Sequence, residues 1–255
     1  MLVEGRGPDP YRARGWPRAR RLTMCLPTLT KTVQKLQTSL QTKAKAEPAF
    51  RFYALWDKVC RSDVIEEAYR HWRANGGCAR YRWHLVRQDR GPGSKAVAGR
   101  IRQELRGGTY RPQPLLRVWI PKSNGGQRPL GIPPIRDRVV QMAVVLVIGP
   151  IFEADMLANQ YGFRPELDAK MAVRQVLWHI RQHGRREVVD ADLRDYFTTI
   201  PHGSLMRCLS RRIADGRLLR IIKGWLTVPV VERAGRRVIV QQRPGGRREE
   251  RHKAR

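Results

Sequence analysis

The chain has 255 residues, 51 Lys and Arg against 22 Asp and Glu, and a formal charge of +29. That length supports a sizeable core, and a hydrophobic fraction of 41% excludes disorder over the whole chain. Charge of this size favours a polyanionic partner, nucleic acid above all, over a small acidic ligand. The longest apolar run, residues 142–151, falls far short of the roughly 20 residues needed to cross a bilayer. No apolar stretch follows the basic N-terminus, as a secretory signal requires. Cys25, Cys60, Cys78 and Cys208 are widely spaced without Cys-x-x-Cys, which argues against zinc or a disulfide framework and for a reducing compartment.

In chain order, residues 1–27 are rich in Arg, Gly and Pro and read as a disordered basic leader, with Met24 as an alternative start. Val33, Leu36 and Leu40 predict a polar helix over 28–45, ended by Pro48. Residues 49–75 predict one or two amphipathic helices, with Phe52, Leu55, Trp56 and Val59 on one face. Residues 78–96 lose all periodicity. A helix over 96–105 follows, stopped by Gly107 and Gly108. Residues 115–120 and 127–132 are strand candidates around the Ser123-Asn124-Gly125-Gly126 turn, a hairpin signature. Residues 136–147 predict a buried helix, and 172–183 an amphipathic one closed by Gly184. A short strand is expected at 187–193, then helices over 205–214 and 217–226. From Arg233 onward nine Arg or Lys face two acidic residues, so 233–255 reads as a basic tail. The element order indicates a mixed α/β (α+β) domain behind a helical N-terminal extension.

Three constellations carry chemistry. Lys122 before the hairpin turn and Arg128 after it fall near one another, and two fixed cations suit a triphosphate, the Arg gripping oxygens bidentately. The plain alternative is a hairpin with solvated charges. In Val188-Val189-Asp190-Ala191-Asp192-Leu193-Arg194-Asp195-Tyr196-Phe197, strand alternation places Asp190 and Asp192 on one face and Val189, Ala191 and Leu193 on the other. An Asp at a strand end before an aromatic turn can hold a divalent cation for nucleotidyl transfer. The alternative is an edge strand with a solvated Asp pair. In Gln160-Tyr161-Gly162-Phe163-Arg164-Pro165, two aromatics and an Arg could stack bases and touch phosphate, or pack into the core.

Taken together with Tyr110-Arg111-Pro112-Gln113-Pro114, Arg128-Pro129-Leu130-Gly131-Ile132-Pro133, Arg136-Asp137-Arg138-Val139-Val140-Gln141 and Pro150-Ile151-Phe152-Glu153, these segments resemble, in order and spacing, the reverse transcriptases of bacterial group II introns. The resemblance spans 28–76 and 100–232. It implies a partial right-hand polymerase fold, with a helical extension over 28–99 and reverse transcriptase fingers and incomplete palm over 100–232. It implies that Lys122 and Arg128 clamp the incoming deoxynucleoside triphosphate and that Asp192 is the first catalytic carboxylate and magnesium ligand. Phe197 or Tyr196 stacks under the sugar, and Arg136, Arg138 and Arg164 belong to the template and substrate surroundings. Implied partners are intron or template RNA, primer DNA and deoxynucleoside triphosphates, with no membrane, in the bacterial cytoplasm.

The chain also departs from the family. It contains no adjacent Asp-Asp pair, so the Tyr-x-Asp-Asp segment that supplies the other carboxylates is missing from these residues. The expectation is a chain truncated before that motif, with an incomplete magnesium site and no activity alone; the alternative function is non-catalytic, maturase-like binding of intron RNA. At Cys78-Ala79-Arg80-Tyr81-Arg82-Trp83, where the family carries a segment like Ala-Pro-Gly-Ile-Asp-Gly, the residues can be coded as TGC GCC CGG TAT CGA TGG, which read one base later yields that family segment. A local frameshift, in the gene or in its sequencing, is the expectation there.

Overall fold

The computed structural model describes residues 29–74, 94–121, 125–185, 187–193, 196–234 and 237–241. The expected leader, and all of the irregular segment before residue 94, lie outside them.

Helix α1 (Lys31–Ala46) buries Val33, Leu40 and Ala44 along one stripe, with Leu36 completing it. After Pro48, Phe52 joins no helix: it makes a parallel bridge to Ile213, its N–H donating to the Arg212 carbonyl and its own carbonyl accepting from Ala214 N–H, both at 2.8 Å. Helices α2 (Trp56–Val59) and α3 (Ser62–Ala74) follow, α3 burying Val64, Ile65 and Ala68. Helix α4 (Ser94–Arg106) ends as expected, with Gly107 and Gly108 closing its last turn and Gly108 at φ 69°.

The central element is α5 (Ile135–Glu153), apolar around most of its circumference and buried at Val139, Val140, Ala143, Val144, Val147 and Ile151. Helices α6 (Ala169–His183), α7 (Tyr196–Thr199), α8 (His202–Arg212) and α9 (Gly216–Thr227) come after it. One continuous core reaches from Val33 to Ile221, so the predicted extension and the residues beyond position 100 share a single apolar interior. Arg212, itself buried, fastens α8 to the end of α1 by donating to the carbonyls of Ala44, Glu47, Pro48 and Phe50. No helix among the described residues is long and apolar enough to cross a membrane.

Strands β1 (Leu115–Pro121), β2 (Gln127–Ile132), β3 (Val230–Ala234) and β4 (Arg237–Gln241) form one sheet of order β2-β1-β3-β4. β1 pairs antiparallel with β2 and parallel with β3, and β3 pairs antiparallel with β4. Leu115, Val228 and Val230 form a small apolar cluster beside the sheet. The mixture of helices with a small mixed sheet agrees with an α+β class.

Two expectations are corrected. Residues 187–193 are not a strand: they have no regular structure, and Val188, Val189 and Leu193 are all exposed, Val189 at 92%. A lone extended segment gains nothing from alternation without a neighbour to accept its backbone hydrogen bonds, and the described strands offer it none. The expected basic tail also begins as ordered structure. Residues through 241 complete β3 and β4, because Val230, Val231, Val238, Ile239 and Val240 have the β-branched character of strands despite their arginine neighbours.

Candidate active site and its surroundings

The β1–β2 ladder pairs Ile120 with Arg128 and closes with Pro121 opposite Gln127. Gly125 at φ 80° supplies the left-handed turn residue that the hairpin needs. Arg128 is exposed beside that turn. Lys122, its expected companion, lies outside the described residues.

Asp190 and Asp192 are exposed on the irregular 187–193 segment, and Asp195 lies outside the described residues. Tyr196 and Phe197 open α7, both exposed, with ring centroids 5.4 Å apart. Phe197 meets Phe163 edge to face, centroids 6.0 Å apart and planes at 89°. The segment after Asp192 is thus brought against the 160–165 turn. A two-cation site needs several convergent donors that hold two metals about 3.5–4 Å apart. Among the described residues no three His, Cys, Asp or Glu side chains converge in that way, so this donor set does not by itself fit the magnesium pair the family implies.

In the 160–165 turn Tyr161 is half-buried and the other residues divide. Phe163 is 97% exposed at φ 59°, a region that bulky residues rarely adopt. Arg164 turns inward. Its Nε and Nη2 donate to Glu153 Oε1 at 2.9 and 2.6 Å, and its Nη1 donates to the carbonyls of Leu157 and Gln160. Arg164 therefore holds the turn, and Phe163 is the group presented to solvent. The motif stands out in the sequence, but nothing in a bulky residue after Gly162 signals its left-handed backbone.

Arg136 is likewise engaged. It pairs with Glu104 at 2.5 Å and stacks over Tyr110 at 4.5 Å from the ring centroid. Arg138, half-buried, donates from Nε to the Pro133 carbonyl at 3.0 Å, and burial pulls its pKa below the ordinary arginine value. Between them sits Asp137, buried, which sequence reasoning passed over. Its Oδ1 accepts from the Tyr110 hydroxyl at 2.7 Å and its Oδ2 from Gln113 N–H at 2.8 Å. Trp225 Nε1 donates to the same hydroxyl at 3.2 Å. Burial first, and the bond to Asp137 with it, push the Tyr110 pKa well up, so the phenol stays protonated and donating. The Tyr110-Arg111-Pro112 and Arg136-Asp137-Arg138 motifs are thus joined in space, with α9 as the third party.

The family described as Reverse transcriptase (RNA-dependent DNA polymerase) matches residues 120–251, which takes in the β3–β4 hairpin and most of the segment read as a tail. Protein YkfC of Escherichia coli strain K12 is 36% identical over 200 residues, 77% of this chain and 52% of that protein. The group II intron-encoded protein LtrA of Lactococcus lactis subsp. cremoris is 30% identical over 183 residues, 71% of this chain and 30% of LtrA. The nuclear intron maturase 2, mitochondrial, of Arabidopsis thaliana is 26% identical over 105 residues, 38% of this chain and 13% of that protein. The chain belongs to the reverse transcriptase family. Within it, the chain is of the group II intron type, and it spans about half the length of YkfC and less of the others.

Proposed function

We propose that these residues form the helical extension (28–99), the fingers and the opening of the palm (from residue 100) of a group II intron-type RNA-directed DNA polymerase. The observation that carries this is a coincidence of place and exposure. Lys122, Arg128, Asp192, Tyr196 and Phe197 all fall inside the matched segment 120–251, and the four that are described face solvent. An arginine, a carboxylate and two aromatics on the surface of a matched polymerase segment are available to substrate, and none of them serves the core.

In this reading Arg128, with Lys122, grips the triphosphate of a deoxynucleotide, since a guanidinium matches phosphate oxygens two at a time and an ammonium adds a point charge. Phe197, with Tyr196 beside it, offers an aromatic face to the sugar. Asp192 is the carboxylate these residues contribute to the chemistry. Magnesium, when bound, neutralises charge on the transferring phosphate; the described donors alone do not make its site, and the step itself is not assigned to them. RNA template and DNA primer are the polyanions that the +29 charge attracts.

The test uses the 255-residue polypeptide. A photoreactive deoxynucleoside triphosphate should label the β1–β2 hairpin, and Arg128→Ala should abolish the label while Arg185→Ala leaves it. Primer extension on an RNA template should be absent. Labelling indifferent to Arg128 would refute the nucleotide role, and extension lost in Asp192→Ala would show that these residues suffice for catalysis.

A further inference from the structure

A cleft of about 580 Å³ lies between the α4 end, the 107–112 linker, Trp56 and α9. Its size is that of a small-ligand site, roughly 300–1,000 Å³. Arg106, Arg111, Arg217 and Arg220 line it, and no carboxylate does. All four are exposed. Four arginines elsewhere, Arg61, Arg136, Arg164 and Arg212, are by contrast each matched by a carboxylate, Asp63, Glu104, Glu153 or Asp155.

Two carboxylates flanking the cleft in sequence, Asp215 and Glu104, are already committed. Asp215 caps α9, and its two oxygens accept from Leu55, Trp56, Arg217 and Leu218 backbone N–H groups at 2.7–3.3 Å. Glu104 is held by Arg136. Arg111 donates only to the Gly108 and Tyr110 carbonyls, and no ion pair reaches Arg106, Arg217 or Arg220 among the described residues. Arg217 also stands in the first turn of α9, where the helix dipole disfavours cations, and that turn holds no acidic residue beyond the Asp215 cap, whose oxygens are taken by backbone N–H groups. Four like charges gathered in one concavity repel each other and are stabilised by an anion.

We propose that this cleft seats the phosphates of a single RNA strand, at residues separate from those assigned to the nucleotide. The proposal rests on the RNA-binding reading above and adds a location to it. The cleft admits a nucleotide or two and is too small for a duplex groove. Half-buried Trp56 gives it an aromatic wall, and stacking on aromatics beside cations is how single strands are held without sequence preference. Gly224 lets α9 approach the cleft wall at Pro112 closely, since a Cβ there would fall 3.3 Å from the proline ring.

The test is fluorescence anisotropy with a labelled single-stranded RNA across a salt series, with the whole 255-residue chain. Arg217→Gln/Arg220→Gln should weaken binding roughly tenfold near physiological salt and reduce the salt slope by about 1.4, about 0.7 for each phosphate of a single strand that is no longer neutralised. Arg207→Gln/Arg211→Gln on α8 removes the same charge and should change the slope by less than about 1. The cleft variant should melt no lower than the parent, since it relieves repulsion. Equal losses in both pairs would overturn the proposal while leaving RNA binding intact; a parent chain that binds no RNA would overturn the functional reading as well. Phenylglyoxal modification of Arg217 and Arg220 should be blocked by the RNA. Blocking by inorganic pyrophosphate but not by RNA would make this a small-anion site and refute the assignment.

Discussion

The Gln37 side-chain amide donates to the main-chain carbonyl of Leu146 at 2.9 Å, and the reason lies four residues further on. Pro150 sits inside α5 and has no N–H to give that carbonyl. A polar residue on α1 thus repairs the gap that a proline opens in the central helix, and in doing so fixes how the two helices lie together.

Gln37→Ala should therefore lower stability by about 1 kcal/mol in urea unfolding. In a Pro150→Ala background, where the helix supplies its own donor, the same substitution should cost clearly less. Equal costs in the two backgrounds would mean that the amide and the proline are unrelated.

Asp137→Ala should be among the most damaging single changes, at about 3 kcal/mol, because it leaves a buried phenol and the Gln113 N–H without their acceptor. Tyr110→Phe should cost about 1–2 kcal/mol, since Trp225 then loses its acceptor too. Thermal unfolding of both variants checks the order. A milder loss for Asp137→Ala than for Tyr110→Phe would show that the carboxylate is not the centre of this network.

His71 gives the fold a pH dependence. Burial pushes its pKa below the ordinary 6.5, with Arg70 acting the same way and Glu67 opposing. The folded state thus takes up a proton later than the unfolded chain. The associated stability is full above pH 6.5 and declines as pH falls below it towards the folded-state value. Asp63, held low chiefly by its hydrogen bond from Arg61, adds a loss only at more acid pH, in the carboxylate range. Urea midpoints between about pH 7.5 and 5.5 should fall for the parent and stay flatter for His71→Gln. A parent with no decline in that window would show that His71 does not set it.

Phe163 should separate stability from binding. Its left-handed backbone costs about 1–2 kcal/mol for a residue of its kind. Asn tolerates that region, so Phe163→Asn should leave the melting temperature unchanged or raised while weakening single-stranded RNA binding several-fold, if the exposed ring stacks on bases. A large drop in melting temperature would instead assign the ring to packing against Phe197.

Much of this was legible in the residues. The turn at Gly125 and Gly126 flanked by apolar runs yields the hairpin at its observed bounds, and the spacings in α1, α4 and α9 follow their buried faces. Local pattern misled where pairing decides. Residues 187–193 alternate like a strand but find no partner, and the Arg-rich residues 233–241 find one. In the site, the residue types suggested which groups bind phosphate, but not which are held internally. Arg136 and Arg164 carry the same charge as Arg217 and Arg220. Only the positions of Glu104 and Glu153 in space, remote from any sequence signal, distinguish the engaged arginines from the open ones.

Helix α6 has caps at both ends, Asp168 accepting from Met171 N–H at 2.8 Å and Gly184 closing it at φ 59°, yet it buries no residue anywhere along its length. Fifteen residues are close to the minimum for a helix that must persist in water on hydrogen bonds alone. Its opening is therefore decoupled from global unfolding, and its amides should exchange with solvent long before those of α5. Two-stage melting is the expected outcome: a core that cooperates from α1 to α9, and one helix that relies chiefly on its aspartate and glycine caps.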